Sequence, residues 1–197
     1  MSLIRRSNSV ADDAAARGGL AIVDVVKSTT LNEVALSDIM PKRTPPSTQN
    51  DYLVEHATLL LRCFAHLLGR ELLEETQDDV ERARLLFEAP FFVASHDASA
   101  DPILTYGNRC ALELFEMPWD EFTITPSRFT AEEPNRAERA ELLRRVTADG
   151  FIDDYSGVRI SKHGQRFRIR RATVWNLTDS SGVHVGQAAT FSAWQRL

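Results

Sequence analysis

The sequence predicts an α+β domain built on one antiparallel sheet, with helices placed before the last three strands. Two observations carry this. Residues 151–194 contain three extended runs rich in aromatic and β-branched residues. They are separated only by Lys162-His163-Gly164-Gln165 and Thr178-Asp179-Ser180-Ser181-Gly182. Connections this short hold no crossover helix, so successive strands must pair antiparallel as a meander. Ahead of them, apolar residues fall at helical spacing.

The chain has 197 residues, enough for one substantial core and a tail. Hydrophobic residues make up 43% and charged residues 26%, within the soluble globular range. A net charge of −5 gives no general basis for direct nucleic acid binding. The longest apolar runs, Leu59-Leu60-Leu61 and Leu20-Ala21-Ile22-Val23, fall far short of a membrane span. No apolar segment follows Arg5-Arg6 as a secretory signal requires, so a cytoplasmic protein is expected. Cys63 and Cys110 then read as free thiols among apolar neighbours.

Residues 1–49 read as a poorly ordered tail. They offer one short strand (20–26), one weak helix (31–39) and a linker marked by Pro41, Pro45 and Pro46. From Asn50 the pattern sharpens. Leu53, Ala57, Leu60, Leu61, Phe64, Leu67, Leu68 and Leu72 predict a helix of about six turns over 51–74, capped by Thr48 or Asn50. Its apolar stripe is wide enough to cover the chain's own core and also meet a second copy, so a homodimer through this helix is expected. Thr76-Gln77-Asp78-Asp79 resembles a capping box for a second helix, 77–88, which Pro90 stops. Residues 91–95 and 102–106 read as a hairpin around the turn 97–101. Asn108 caps a helix over 109–116, and Pro118 opens a short turn, 119–122. Asn135-Arg136-Ala137-Glu138 predicts a capping box for 136–148, with Gly150 at the stop. The meander follows.

The order of these elements is that of a PAS-type domain. Asp51-Tyr52-Leu53, His56, Leu67-Leu68-Gly69-Arg70, Leu86-Phe87-Glu88-Ala89-Pro90, Ser95-His96-Asp97 and Tyr106-Gly107-Asn108 resemble the MEKHLA domain, a PAS-like module. So do Ala111-Leu112-Glu113-Leu114-Phe115, Asp153-Asp154-Tyr155-Ser156-Gly157-Val158-Arg159-Ile160 and Ala172-Thr173-Val174-Trp175-Asn176-Leu177. The module occurs alone in bacterial proteins and at the C-terminus of plant class III homeodomain–leucine zipper transcription factors. No homeodomain or heptad zipper precedes it here, so the plant DNA-binding function does not transfer. The resemblance covers about 50–194 and leaves out 1–49. It implies a PAS-like five-stranded antiparallel sheet with helices on one face and an N-terminal helical extension. It also implies a sensory or protein-interaction role, and no established reaction.

Several constellations invite chemistry. Flavin-binding light sensors of PAS type carry their reactive cysteine in an Asn-Cys-Arg-Phe run. The comparable stretch here is Pro126-Ser127-Arg128-Phe129-Thr130, and Cys110 lies one helix too early, which argues against a flavin adduct. Haem needs an axial ligand, and none of His56, His66, His96, His163 and His184 falls in the helix 136–148. No cluster has zinc spacing. Ser95-His96-Asp97 cannot be a triad, because neighbours on a strand face opposite sides. Asp97 and Ser99 instead shape the turn. Asp153 and Asp154 fail as an acid–base pair for the same reason, and one of them is expected to pair with Arg159 or with the strand 166–171. On that strand Arg166, Arg168 and Arg170 share one face, either a charged outer surface or a site for an anionic ligand or acidic partner. Arg171 breaks the alternation. A bulge there brings Ala172 and Val174 to the face of Phe167 and Ile169; without one, Thr173 and Trp175 take it.

These readings assign no catalytic residue. They favour a module binding a small apolar or aromatic molecule between sheet and helices. The expected ligand-binding residues are Tyr106, Trp119, Phe129, Tyr155, Phe167 and Ile169, in a wall that also includes Phe92, Leu112, Phe115 and Leu143. The alternatives are a ligand-free dimerisation or docking domain with a filled core, and a small enzyme using the same cavity. The tail is expected to add little stability. Deleting residues 1–39 should shift the melting temperature by only a few degrees in calorimetry, whereas a fall of about ten degrees would show a packed tail.

Overall fold

The computed structural model describes residues 44–74 and 78–197, and for 133–136, 138 and 139 the backbone alone. The expected strand 20–26 and helix 31–39 lie outside these residues, as do Thr76 and Gln77 of the expected cap. Residues 44–49 are held by Asn50. Its Nδ2 donates to Thr44 Oγ1 (3.0 Å) and Pro45 O (2.9 Å), and its Oδ1 accepts from the Ser47 amide (2.9 Å). Asn50 therefore closes a loop and does not cap the helix. Asp51, Tyr52 and Leu53 follow with left-handed φ values of 48°, 52° and 55°.

Helix α1 spans Val54–Leu68, shorter than the expected 51–74. Gly69, at φ 66°, donates its N–H to Ala65 O and closes the helix, the stop that a left-handed glycine supplies. Helix α2 (Asp79–Glu88) is capped by Asp78, whose side chain accepts from the Val80 amide. Strands β1 (Phe92–Asp97) and β2 (Leu104–Gly107) form the hairpin. Asp97 Oδ1 shapes its turn by accepting from the amides of Ile103 (2.9 Å) and Ser99 (3.2 Å) and from Ser99 Oγ (2.6 Å). Desolvation pushes the Asp97 carboxyl upward, but the Ser99 and Ile103 hydrogen bonds outweigh it and hold it below the usual range.

Next come α3 (Arg109–Phe115), the single turn α4 (Trp119–Phe122), a 3-10 turn (Ser127–Thr130) and α5 (Glu133–Asp149). Helix α5 starts three residues before the expected position, with Glu132 and not Asn135 at its N-cap and a proline in its first turn. The meander is β3 (Phe151–Ile160), β4 (Arg166–Thr178) and β5 (His184–Phe191). The expected last strand breaks at Ser192, giving a sixth strand, β6 (Ala193–Arg196). The sheet order is β2-β1-β5-β4-β3, with β6 continuing beside β4. Arg171, at φ 53°, bulges β4 at the point where its neighbour changes from β6 to β5.

Both faces of this sheet are covered. On one side α1 buries Ala57, Leu60, Leu61 and Phe64 in the same cluster as Val93, Trp175, Leu177 and Ala188. Trp175 donates Nε1–H to Leu60 O (3.3 Å) and meets Phe64 edge-on at 5.1 Å. On the other side Phe92, Ala94, Phe167, Ile169, Ala172 and Phe191 pack with Phe115 and Phe122. The stripe on α1 is thus occupied by the chain's own sheet. Leu61 is only 3% exposed, so this part of the stripe is not available to a second copy.

Asn108 joins these parts. Its side chain is fully buried. Oδ1 accepts from the amides of Val93 and Ala111, both at 3.0 Å. Nδ2 donates to Phe91 O at 2.7 Å, with Leu86 O and Ala89 O at 3.4 Å. A simple cap is worth about 1 kcal/mol, but each buried group orphaned costs about 1–3 kcal/mol. Asn108→Ala should therefore destabilise by about 3 kcal/mol or more in urea unfolding; a loss near 1 kcal/mol would show that it acts as a cap alone.

Candidate functional site

Strand alternation on the inner face, against α3 and α5, leaves a cavity of about 80 Å³. One ordered water needs roughly 10–15 Å³, so the space exceeds what one or two waters fill. Its apolar wall includes Phe92, Phe115, Ile169, Val174 and Phe191. The Arg171 bulge is what turns Ala172 and Val174 inward beside Ile169, while Thr173 and Trp175 face the other side. Tyr155 lies opposite Ala172, and Gly157 opposite Ile169. A Cβ on Gly157 would meet the Tyr155 hydroxyl at 2.2 Å. The missing side chain lets the Tyr155 ring lie along β3, and the Arg159 guanidinium sits 5.1 Å from that ring's centre.

Polar residues interrupt this wall, among them Ser95, His96, Ser127, Thr130, Arg159 and Gln187. Gln187 is 2% exposed. Its Nε2 donates toward Leu143 O (3.1 Å), Thr147 Oγ1 (2.9 Å) and Asn176 Oδ1 (3.0 Å). Asn176 in turn donates to Val146 O (3.0 Å). These carbonyls fix which way both amides point. Asn176 also donates toward Thr147 O (3.3 Å), a carbonyl of the last turn of α5, where helices leave such groups without an intrahelical partner. Gln187 Oε1 is left buried with no hydrogen-bond partner, as is Ser127 Oγ. His96 Nδ1 contacts Asp97 O at 2.8 Å.

Of the expected site residues, Tyr155 and Ile169 line the cavity, with Phe92, Phe115 and Leu143 from the wider wall. Phe167 is fully buried against Phe115, with ring centres 5.6 Å apart, and does not line it. Tyr106 and Trp119 lie elsewhere. Tyr106 pairs with Ser95, and that register turns it toward α1, where it stacks on His56 at 5.4 Å and meets Trp119 edge-on at 6.1 Å. Burial pushes the Tyr106 hydroxyl well above its usual range. Phe129 is 47% exposed, under Arg128 at 4.3 Å, and Leu112 is absent from the wall. Arg159, Gln187, Ser127 and His96 are not among the ligand-binding residues expected from the sequence. The readable signals were the inward period Tyr155, Gly157, Arg159, and one large amide in the small-residue run Gly186-Gln187-Ala188-Ala189.

A family profile described as the MEKHLA domain matches residues 54–196. The chain belongs to the MEKHLA-domain family. This MEKHLA domain is similar to the PAS domain of a protein from Colwellia psychrerythraea, with a TM-score of 0.50 and 13% identity over 59% of this chain and 94% of that one. At that identity the likeness shows the fold alone. The light-state dimer of the fungal blue-light photoreceptor Vivid (TM-score 0.47, 14% identity, 66% and 89% covered) is more distant. So is an RNA-binding light-oxygen-voltage receptor (0.49, 16%, 60% and 34%), and neither carries an argument here. No curated protein matches the sequence.

Other features of this MEKHLA domain now have places. Asp153 accepts from Thr173 Oγ1 (2.5 Å) and pairs with Arg70 at 3.6 Å, so the expected partner on β3 or β4 is replaced by one after α1. Arg166 and Arg170 are exposed, the first paired with Glu132 (2.7 Å), the second donating to Gln195 (3.2 Å), which fits a charged outer face. Cys63 and Cys110 are free thiols, and burial, then the nearby Glu113, pushes Cys110 up. Ser95 Oγ lies 2.9 Å from His56 Nε2, but at 2% exposure it is sealed in the core. Among the described residues no helix is long and apolar enough to cross a membrane.

Trp119 is 6% exposed and remote from the cavity wall. Trp119→Ala should cost about 3–5 kcal/mol of stability and leave affinity for any cavity ligand unchanged. A selective loss of binding by the folded variant would place Trp119 at the site after all.

Proposed function

We propose that this MEKHLA domain is a sensory module that binds a small molecule in the cavity between its sheet and α5. The cavity itself carries this reading. It is lined by apolar side chains and interrupted by a few polar atoms, two of them buried without partners, which is how ligand pockets are built. A filled core would leave no such space.

The test fills the cavity without touching its polar atoms. Ala189 lines it from β5. Ala189→Leu should keep the fold and thermal transition while abolishing any small-molecule adduct seen by native mass spectrometry of the full chain from its own host. An adduct of equal abundance in both proteins would move the ligand elsewhere, and a wild-type chain carrying none would favour a docking module.

That second reading has one specific support. Strand β6 pairs only with β4, and its residues Ala193–Arg196 are all exposed. Such an edge is open to pairing with another chain. Self-association through α1, the helix first expected to serve a homodimer, has less surface available because its stripe meets the chain's own sheet. If copies do associate, Arg196→Pro on β6, where the register turns the N–H away from β4, should weaken the assembly in sedimentation by about tenfold, because proline cannot donate to an added strand.

A further inference from the structure

Arg159 is the outlier among the arginines of the described residues. Others are matched to carboxylates, among them Arg70 with Asp153, Arg82 with Glu71, Arg84 with Glu81, Arg128 with Asp101 and Arg166 with Glu132, and those without one, such as Arg168, Arg170 and Arg196, are exposed to water. Arg159 is 8% exposed and has no carboxylate partner among the described residues. Its Nη1 donates to the neighbouring Val158 O (2.9 Å), and its guanidinium lies near the Tyr155 ring. One carbonyl and one ring do not use five N–H donors or balance a full charge. Its Nε and Nη2 have no hydrogen-bond partner among the described residues and are not sealed from solvent, so they are available to a ligand's acid group.

The side chain is placed there by the strand. Arg159 lies opposite Phe167, whose side chain packs on Phe115 at the inner face. The alternation of β3 puts Tyr155, Gly157 and Arg159 on that same side. Arg159 therefore lines the cavity with its charge, beside an apolar wall. A guanidinium matches a carboxylate in two parallel hydrogen bonds, and an apolar wall excludes a fully hydrated inorganic ion.

We propose that the cavity takes a small organic carboxylate, with its acid group on Arg159 and its hydrocarbon body against Ile169, Val174 and Phe191. This rests on the reading of the cavity as a ligand site and adds the chemical class.

The test compares an acid with a neutral molecule of similar shape and of a size suited to a cavity of about 80 Å³, propionate against propan-1-ol, by titration calorimetry on the full chain. The acid should bind about tenfold or more tightly than the alcohol. Arg159→Met, which keeps most of the side-chain volume, should remove that preference and leave alcohol binding within about twofold. Arg159→Lys retains the charge and should keep the acid ahead, which separates loss of charge from loss of fold. Equal binding of acid and alcohol by the wild type overturns the carboxylate assignment while the cavity reading stands, and needs no variant to interpret. An acid preference that survives in folded Arg159→Met also overturns it. If neither molecule saturates the wild type at millimolar concentration, the carboxylate assignment fails. If Ala189→Leu also leaves any native adduct unchanged, the cavity reading fails with it.

Discussion

One buried amide holds the geometry together. Asn108 sits where three pieces of backbone end with unmet needs: the close of α2, the entry to β1 and the first turn of α3. A helix end leaves N–H or C=O groups without intrahelical partners, and burial denies them water. One side chain with two donors and two lone pairs serves all three. An aspartate could accept at the same places but could not donate to Phe91 O. Because α3 carries Ala111, Leu114 and Phe115 into the inner core, the position of the cavity's lower wall depends on that amide.

The sheet works as a single layer between two cores. Adjacent residues of β4 serve different sides, Val174 toward the cavity and Trp175 toward α1. Adjacent residues of β1 do the same, with Phe92 inward and Val93 outward. The Arg171 bulge is the device that makes this possible on β4. It follows an arginine-rich stretch whose outer face is solvated and precedes a stretch buried on both faces. A strand with strict alternation from Phe167 onward would have turned Trp175 into the cavity.

Much of this was legible in the sequence where local chemistry decides. The short turns dictated the antiparallel meander, and Asp97, Asn108, Gly150 and Pro118 punctuated the elements as their side chains require. The ends of α1 were less so. Its apolar spacing runs on through Leu72, but one glycine at position 69 stops the helix, and backbone closure outweighs periodicity. The site was only half legible. Tyr155 and Ile169 follow from alternation, whereas Tyr106 and Trp119 depended on a register that β2 sets with β1. Aromatic residues drew the eye because they fill volume. The polar groups that decide chemistry, Arg159 and Gln187, looked like ordinary strand residues until the face each one shares was known.

The cover that α1 gives the sheet fixes where this domain can be cut. The sheet and its inner helices could be taken for a self-sufficient unit beginning near Pro90. Trimmed there, the chain would show water a flat, greasy plane made of Val93, Tyr106, Trp175, Leu177 and Ala188. Such a plane sticks to copies of itself, and the product would precipitate or trade helices with its neighbours. The smallest portable piece, for expression or for fusion to another protein, therefore starts ahead of Val54 and includes the loop that Asn50 closes.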